Sequence, residues 1–175
     1  METYTEFKPL ADNPYFLQQR EKALNQLDFN AIDVPIKKII KAFSNLPYCF
    51  TLQCCYGHFL YDKQKNPQNI EPLPNSNNIS NVEYRIAYIA LCIHNNPPGK
   101  MLLQELKKIP VIDPDYVQFC CADWFWQKQV NSYALQVEPE RYKTKDKITV
   151  NFQEALHIEN VRNKFFRRLE KIFDS

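Results

Sequence analysis

Thr51-Leu52-Gln53-Cys54-Cys55-Tyr56-Gly57-His58 is the stretch on which the reading of this chain turns. It lies within Tyr48 to Tyr61, a run rich in aromatic and β-branched residues and poor in helix formers, which predicts one strand or two short ones. On an uninterrupted strand Cys54, Tyr56 and His58 share one face, and Cys55 and Gly57 take the other. Glycine inside a strand marks a bulge or the close approach of a ligand or second backbone. Histidine beside cysteine suits a nucleophilic pair, because the thiolate is the reactive form and a nearby imidazole stabilises it. The plainer reading of the same residues is a buried strand with two packing thiols and a hydrogen-bonded histidine. Cys54, Cys55, Gly57 and His58 are therefore the candidate pocket residues.

Helical patterns precede this segment. Asp12-Asn13-Pro14 offers a cap and a first-turn proline, and Phe16, Leu17, Ala23, Leu24 and Leu27 give an apolar stripe to about residue 28. A second helix begins near Asp33-Val34-Pro35, carries Ile36, Ile39, Ile40, Phe43 and Leu46 at helical spacing, and stops at Pro47. After the segment, residues 62–81 hold Asn66-Pro67, Pro72, Pro74 and Asn75-Ser76-Asn77-Asn78, which is the chemistry of a long flexible loop or flap. Val82 to His94 is apolar on both faces and predicts a central strand. Further on come a short helix over Lys100 to Lys108 and strands at Tyr116 to Cys121 and Val130 to Val137. A short edge strand at Lys147 to Val150 precedes a closing helix from about Asn151 to Phe173. The expected fold is one α/β domain over 1–175, of the α+β type. Its mostly antiparallel mixed sheet carries two N-terminal helices and a long C-terminal helix.

Composition narrows the functional classes. At 175 residues, 45% hydrophobic and 24% charged, the chain is ordinary for a single globular domain. It has only two glycines, Gly57 and Gly99, so neither the dinucleotide G-x-G-x-x-G turn nor a Walker-type phosphate loop can be present. No apolar run approaches the ~20 residues needed to span a bilayer. The polar, acidic Met1-Glu2-Thr3-Tyr4-Thr5-Glu6 does not suit a secretory leader. These features predict a cytoplasmic protein with no membrane partner. The six cysteines include the neighbours Cys54-Cys55 and Cys120-Cys121, a pattern that fits packing thiols on strands better than a disulfide framework.

Three other features carry weaker chemistry. Cys55-x-x-His58 has ligand-like spacing, with Cys92-x-His94 and Cys120 or Cys121 available to complete a set. No second tight knuckle exists, however, so no metal is expected. Trp124-Phe125-Trp126 suits base stacking, a core, or a homo-oligomer surface, and Asp113-Pro114-Asp115 reads as a turn. Nine lysines and arginines follow from Arg141 onward: Arg141, Lys143, Lys145, Lys147, Arg162 and then Lys164, Arg167, Arg168 and Lys171. The last four fall on one side of the final helix, opposite Phe165 and Leu169, and are the candidate contacts to tRNA or other RNA.

A helix, a short acidic turn, a second helix and then T-x-x-C-C-x-G-H resemble the N-terminal region of the tRNA-wybutosine-synthesis methyltransferases of the third step. That family carries Thr-Thr-Ser-Ser-Cys-Ser-Gly-Arg on the strand after two helices. Thr51, Cys55 and Gly57 match; Gln53, Cys54, Tyr56 and His58 replace three serines and the arginine. The helix Asp33 to Phe43 and the Asn45-Leu46-Pro47 that ends it are also similar, and the likeness covers about residues 14–61. It implies a related fold without a Rossmann site. It further implies S-adenosylmethionine as cofactor, methylation of a modified tRNA base, Cys55 as a site residue and His58 in the place of the arginine. A non-catalytic interaction protein, homodimeric through the aromatic cluster with its cysteines in the core, is the competing expectation.

Overall fold

In the computed structural model, residues 4–174 are described; Met1-Glu2-Thr3, the start of the polar N-terminus, and Ser175 lie outside them. After β1 (Tyr4–Thr5), α1 runs over Phe16–Gln26. A 3-10 turn at Val34–Ile36 leads into α2 (Lys37–Ser44). The two helices are locked together electrostatically. From α1, Arg20 donates Nη2 to the Ser44 carbonyl at 2.7 Å and Nε to the Leu46 and Cys49 carbonyls at 3.1 Å. The Ser44 carbonyl lies at the negative end of α2, where a cation is favourable, and the other two lead from it into the next strand.

The strands follow as β2 (Cys49–Cys55), β3 (His58–Leu60), β4 (Asn81–Arg85) and β5 (Ala87–Ile93). Next come α3 (Pro97–Leu106), β6 (Val117–Ala122), α4 (Asp123–Lys128), β7 (Ser132–Val137), β8 (Lys147–Asn151) and α5 (Phe152–Phe173). They form two sheets, a five-stranded one in the order β1-β6-β7-β5-β2 and a three-stranded one in the order β3-β4-β8, and every pairing is antiparallel. The α+β expectation is met, with a long C-terminal helix over the sheets.

The central-strand expectation for Val82 to His94 needs correction. Ile86 divides that run, β4 pairing in the small sheet and β5 in the large one. The Tyr48 to Tyr61 run divides likewise, at Tyr56-Gly57. Both breaks belong to one bent ribbon. Cys55 faces Tyr88 before the bend and His58 faces Arg85 after it, so the register continues and Tyr56-Gly57 lies across from Ile86-Ala87. Gly57 has φ of +90°, and a Cβ there would sit 2.9 Å from the Ala87 Cβ. The bend therefore requires glycine both for its dihedral and for the close approach of the two strands. Tyr84 secures the inside of the corner. Its hydroxyl donates to the Val137 carbonyl and accepts from the Ala87 N–H, both at 2.8 Å.

The core lies between the sheets and the helices. Ile89, Leu91 and Ile93 of β5 and Leu135 and Val137 of β7 meet Ile39, Ile40 and Phe43 of α2 and Ile158, Phe165 and Leu169 of α5. Burying each such side chain contributes ~1.5–3 kcal/mol. Asn151 caps α5 by accepting the Glu154 N–H at 2.8 Å. Residues 62–81 contain no helix, and between its ends the segment is tied to the body of the fold. The Asn69 carbonyl meets His58 Nδ1 at 2.9 Å, and the Leu73 N–H donates to Glu159 of α5 at 2.8 Å with Leu73 itself buried. No helix among the described residues is long and apolar enough to cross a membrane.

Candidate functional site

The bend at Gly57 rearranges the four pocket candidates. On a straight strand Cys55 and His58 point apart; here they converge, and Asp33 joins them from the residue before the 3-10 turn. Ligand-capable atoms of Asp33, Cys55 and His58 all lie within 4.8 Å of one another, the only such trio among the described residues. Asp33 was read only as the start of the second helix, and its side chain makes no capping bond there. Its Oδ2 instead accepts the Tyr56 N–H at 2.9 Å and meets His58 Nε2 at 3.1 Å. Cys54 packs against the main core, and the Gly57 N–H donates to Cys55 Sγ at 3.4 Å.

Hydrogen-bond chemistry fixes the charge of His58. A carbonyl only accepts, so Nδ1 carries a hydrogen for Asn69; a carboxylate only accepts, so Nε2 carries one for Asp33. The buried ring is thus an imidazolium. The Asp33 hydrogen bond, helped by Cys55 and opposed by burial, raises its pKa to about 10. Burial works against an ionised Asp33, but the His58 bond, the Tyr56 N–H and the charge of Arg162 outweigh it and hold the carboxyl below its usual range. An imidazolium stabilises a neighbouring thiolate by its charge but has no lone pair with which to act as a base.

Arg162 was grouped with the surface basic residues; it is 3% exposed. Its Nη1 donates to the Gly57 carbonyl at 2.9 Å, and its guanidinium lies 4.0 Å from the Tyr56 ring centroid, clamping the bend from α5. Helical spacing carried the signal. Arg162 stands four residues after Ile158, three before Phe165 and seven before Leu169, at the centre of the buried face.

On the outer face of the large sheet, away from α2 and α5, a cavity of about 450 Å³ is lined by Gln53, Cys54, Cys55, Tyr88, Phe125 and Gln136, among others. Small side chains leave room for it: Ala134 lines it and stands opposite Ala90, on which Phe125 packs. Gln136 donates Nε2 to Glu138 Oε2 at 2.9 Å and to the Lys143 carbonyl at 3.1 Å, which fixes the amide with its oxygen on the Tyr4 hydroxyl. Glu138 is fully buried, and burial together with the charge of Asp146 pushes its pKa to about 9. It is a neutral acid at pH 7. Sequence reading passed over it, because alternation put it on the face opposite Leu135 and Val137, where a glutamate reads as solvated. A cavity of about 530 Å³ beside α3 contains none of the candidate residues.

The remaining candidates disperse. His94 stacks on Phe16 with centroids 4.3 Å apart, and Cys92 donates to the Val130 carbonyl, so neither approaches Cys55 in a ligand set. All six cysteines are free thiols. Burial pushes Cys54, Cys92 and Cys120 up to about 12 and raises Cys49 and Cys121 as well. Asp113 and Asp115 form the expected turn, with Asp113 Oδ1 accepting the Asp115 N–H and Oδ2 meeting His157 at 2.9 Å. Trp124-Phe125-Trp126 does not present its three rings on one face. The three residues lie on α4, whose ~100° step per residue splays them. Phe125 is buried on Ala90 and Ala122, Trp126 packs against Tyr133, and only Trp124 is exposed. Lys164, Arg167, Arg168 and Lys171 are all exposed along one side of α5. Comparison with protein-family models, curated proteins and solved structures finds no match for the chain.

Proposed function

We propose that this chain is a domain of the RNA-modification type that takes a nucleobase-bearing ligand into the outer-face cavity. The observation that carries this reading is the pairing, within one cavity, of the Tyr88 and Phe125 rings with the Gln53 and Gln136 amides. A planar heterocycle stacks on aromatic rings, and the Gln53 amide, whose oxygen accepts from the Tyr88 hydroxyl, has its nitrogen to donate to a base edge, while Gln136, held by Glu138, Lys143 and Tyr4, forms a fixed polar wall. The cavity volume falls within the ~300–1,000 Å³ of small-ligand sites. The buried Glu138 supports the reading as well, since holding Gln136 in one orientation presets the cavity for a ligand.

The likeness of residues 14–61 to the wybutosine-synthesis methyltransferases favours S-adenosylmethionine, whose adenine is such a base, with a modified tRNA base as acceptor. The exposed Lys164, Arg167, Arg168 and Lys171 supply cations for the RNA backbone. Calorimetric titration with S-adenosylmethionine and filter binding of tRNA at low salt test the proposal. Saturable binding of S-adenosylmethionine that is lost in Gln136→Leu is the expected result. No binding of either molecule overturns it.

A further inference from the structure

The sequence expectation was that no metal is bound, because Cys55-x-x-His58 lacks a second knuckle. The fold supplies a third ligand from elsewhere in the chain, and the surroundings of all three groups suit a cation. We propose that Asp33, Cys55 and His58 form a binding site for one zinc-like divalent ion, held by Asp33 Oδ2, Cys55 Sγ and His58 Nε2. This inference is independent of the nucleobase reading.

Three observations carry it. First, the three ligand atoms lie within 4.8 Å of one another, with Nε2 and Oδ2 already 3.1 Å apart. Tetrahedral zinc with bonds of about 2.0–2.3 Å places its ligand atoms about 3.3–3.8 Å apart, so small side-chain rotations complete the set. Second, His58 Nδ1–H is bound to the Asn69 carbonyl, leaving Nε2 as the nitrogen that faces the other two groups. That outer bond is the usual device for orienting a metal-ligating histidine. Third, each anionic ligand already accepts a backbone N–H, Cys55 Sγ from Gly57 and Asp33 Oδ2 from Tyr56. The bend at Gly57 (φ +90°) that creates these bonds is the turn a Cys-x-x-His knuckle needs. A divalent ion bound there displaces the Nε2 and thiol protons, and the Asp⁻, Cys⁻, His⁰ set then balances its charge.

The donor chemistry selects the ion. One thiolate and one imidazole suit zinc or cobalt(II) over magnesium or calcium, which prefer oxygen ligands alone. With three protein ligands, zinc keeps a position for water or another ligand. Cys55 also lines the outer-face cavity, so an ion on its sulfur is accessible from there.

The test uses the full chain, reduced and stripped with chelator, titrated with Co²⁺ and read by absorption. The expected result is a near-ultraviolet thiolate-to-cobalt band that saturates at one equivalent and is abolished by Zn²⁺. The band disappears in Cys55→Ser and survives in Cys54→Ser, which bears a neighbouring thiol outside the trio. Thermal melts in Zn²⁺ provide a second readout, with Tm rising for the wild type and for Cys54→Ser but not for Cys55→Ser. A missing band, a band that survives Cys55→Ser, or one that Cys54→Ser removes overturns the proposal.

Discussion

Replacing Glu138 with glutamine should stabilise the protein at neutral pH, by an amount that follows from where the carboxyl sits. The side chain is fully buried just past the end of β7, with Oε2 accepting from Gln136 Nε2 and Oε1 without a partner. Its folded pKa is about 9 against an ordinary value of 4.5. Between those values the unfolded chain releases the proton while the folded chain retains it, so stability falls as pH rises. Each pH unit costs up to about 1.4 kcal/mol. From pH 4.5 to pH 7 the loss amounts to about 3 kcal/mol. Glutamine keeps the bond to Gln136 and the neutral charge of the native acid while removing the titration. Glu138→Gln should therefore match the wild type near pH 4.5, exceed it by about 2–3 kcal/mol at pH 7, and lead by more at pH 8.5. The assay is urea unfolding at those three pH values, followed by the fluorescence of Trp124 and Trp126. His58, whose folded pKa is also raised, adds a contribution that is complete below pH 6.5 and fades as pH rises toward 10. The difference between variant and wild type, and not the wild-type curve alone, isolates Glu138. A difference that stays constant from pH 4.5 to pH 8.5 would refute the buried-acid argument.

Other perturbations test the bend and the surface. Gly57→Ala must adopt a positive φ and press a methyl group against Ala87 at 2.9 Å, so a loss of roughly 2–4 kcal/mol in urea unfolding is expected. Arg162→Ala leaves the Gly57 carbonyl without its donor and removes one of the two cations, beside His58, that favour the Asp33 carboxylate; a loss of about 3–5 kcal/mol is expected from the same assay. Arg167→Ala with Arg168→Ala should leave the melting temperature within about 2 °C while lowering the salt dependence of tRNA binding by roughly two phosphate contacts. Cys54, Cys92 and Cys120, their thiols pushed up to about 12, should alkylate far more slowly than a free cysteine at pH 7.5 when followed by mass spectrometry.

How much of this was readable beforehand differs between elements for physical reasons. The closing helix was legible because Ala155, Ile158, Phe165 and Leu169 repeat at helical spacing behind an asparagine cap. The division at Ile86 was not, because a residue where a strand changes sheets is as apolar as its neighbours and leaves no mark in alternation. In the site, Cys55, Gly57 and His58 were found as a group, and the glycine was correctly read as a place of close approach. Their geometry was misjudged, since face alternation holds only while the strand stays straight. Asp33 was seen only as the start of a helix, because its partners are 23 and 25 residues away and local pattern does not reach them. Arg162 lay within reach of the helical wheel that placed its neighbours. Glu138 left no trace, since nothing local separates a buried neutral acid from a solvated carboxylate.

The central claim, that the outer-face cavity receives a nucleobase, is tested most directly by mapping amide chemical shifts during titration with S-adenosylmethionine and, separately, with a tRNA anticodon-loop oligonucleotide. The account predicts saturable shifts concentrated at the backbone amides of Gln53, Cys55 and Tyr88 and at the Gln136 side-chain amide for at least one of the two. Resonances there that stay unmoved by both ligands, or shifts confined to other surfaces, would contradict it.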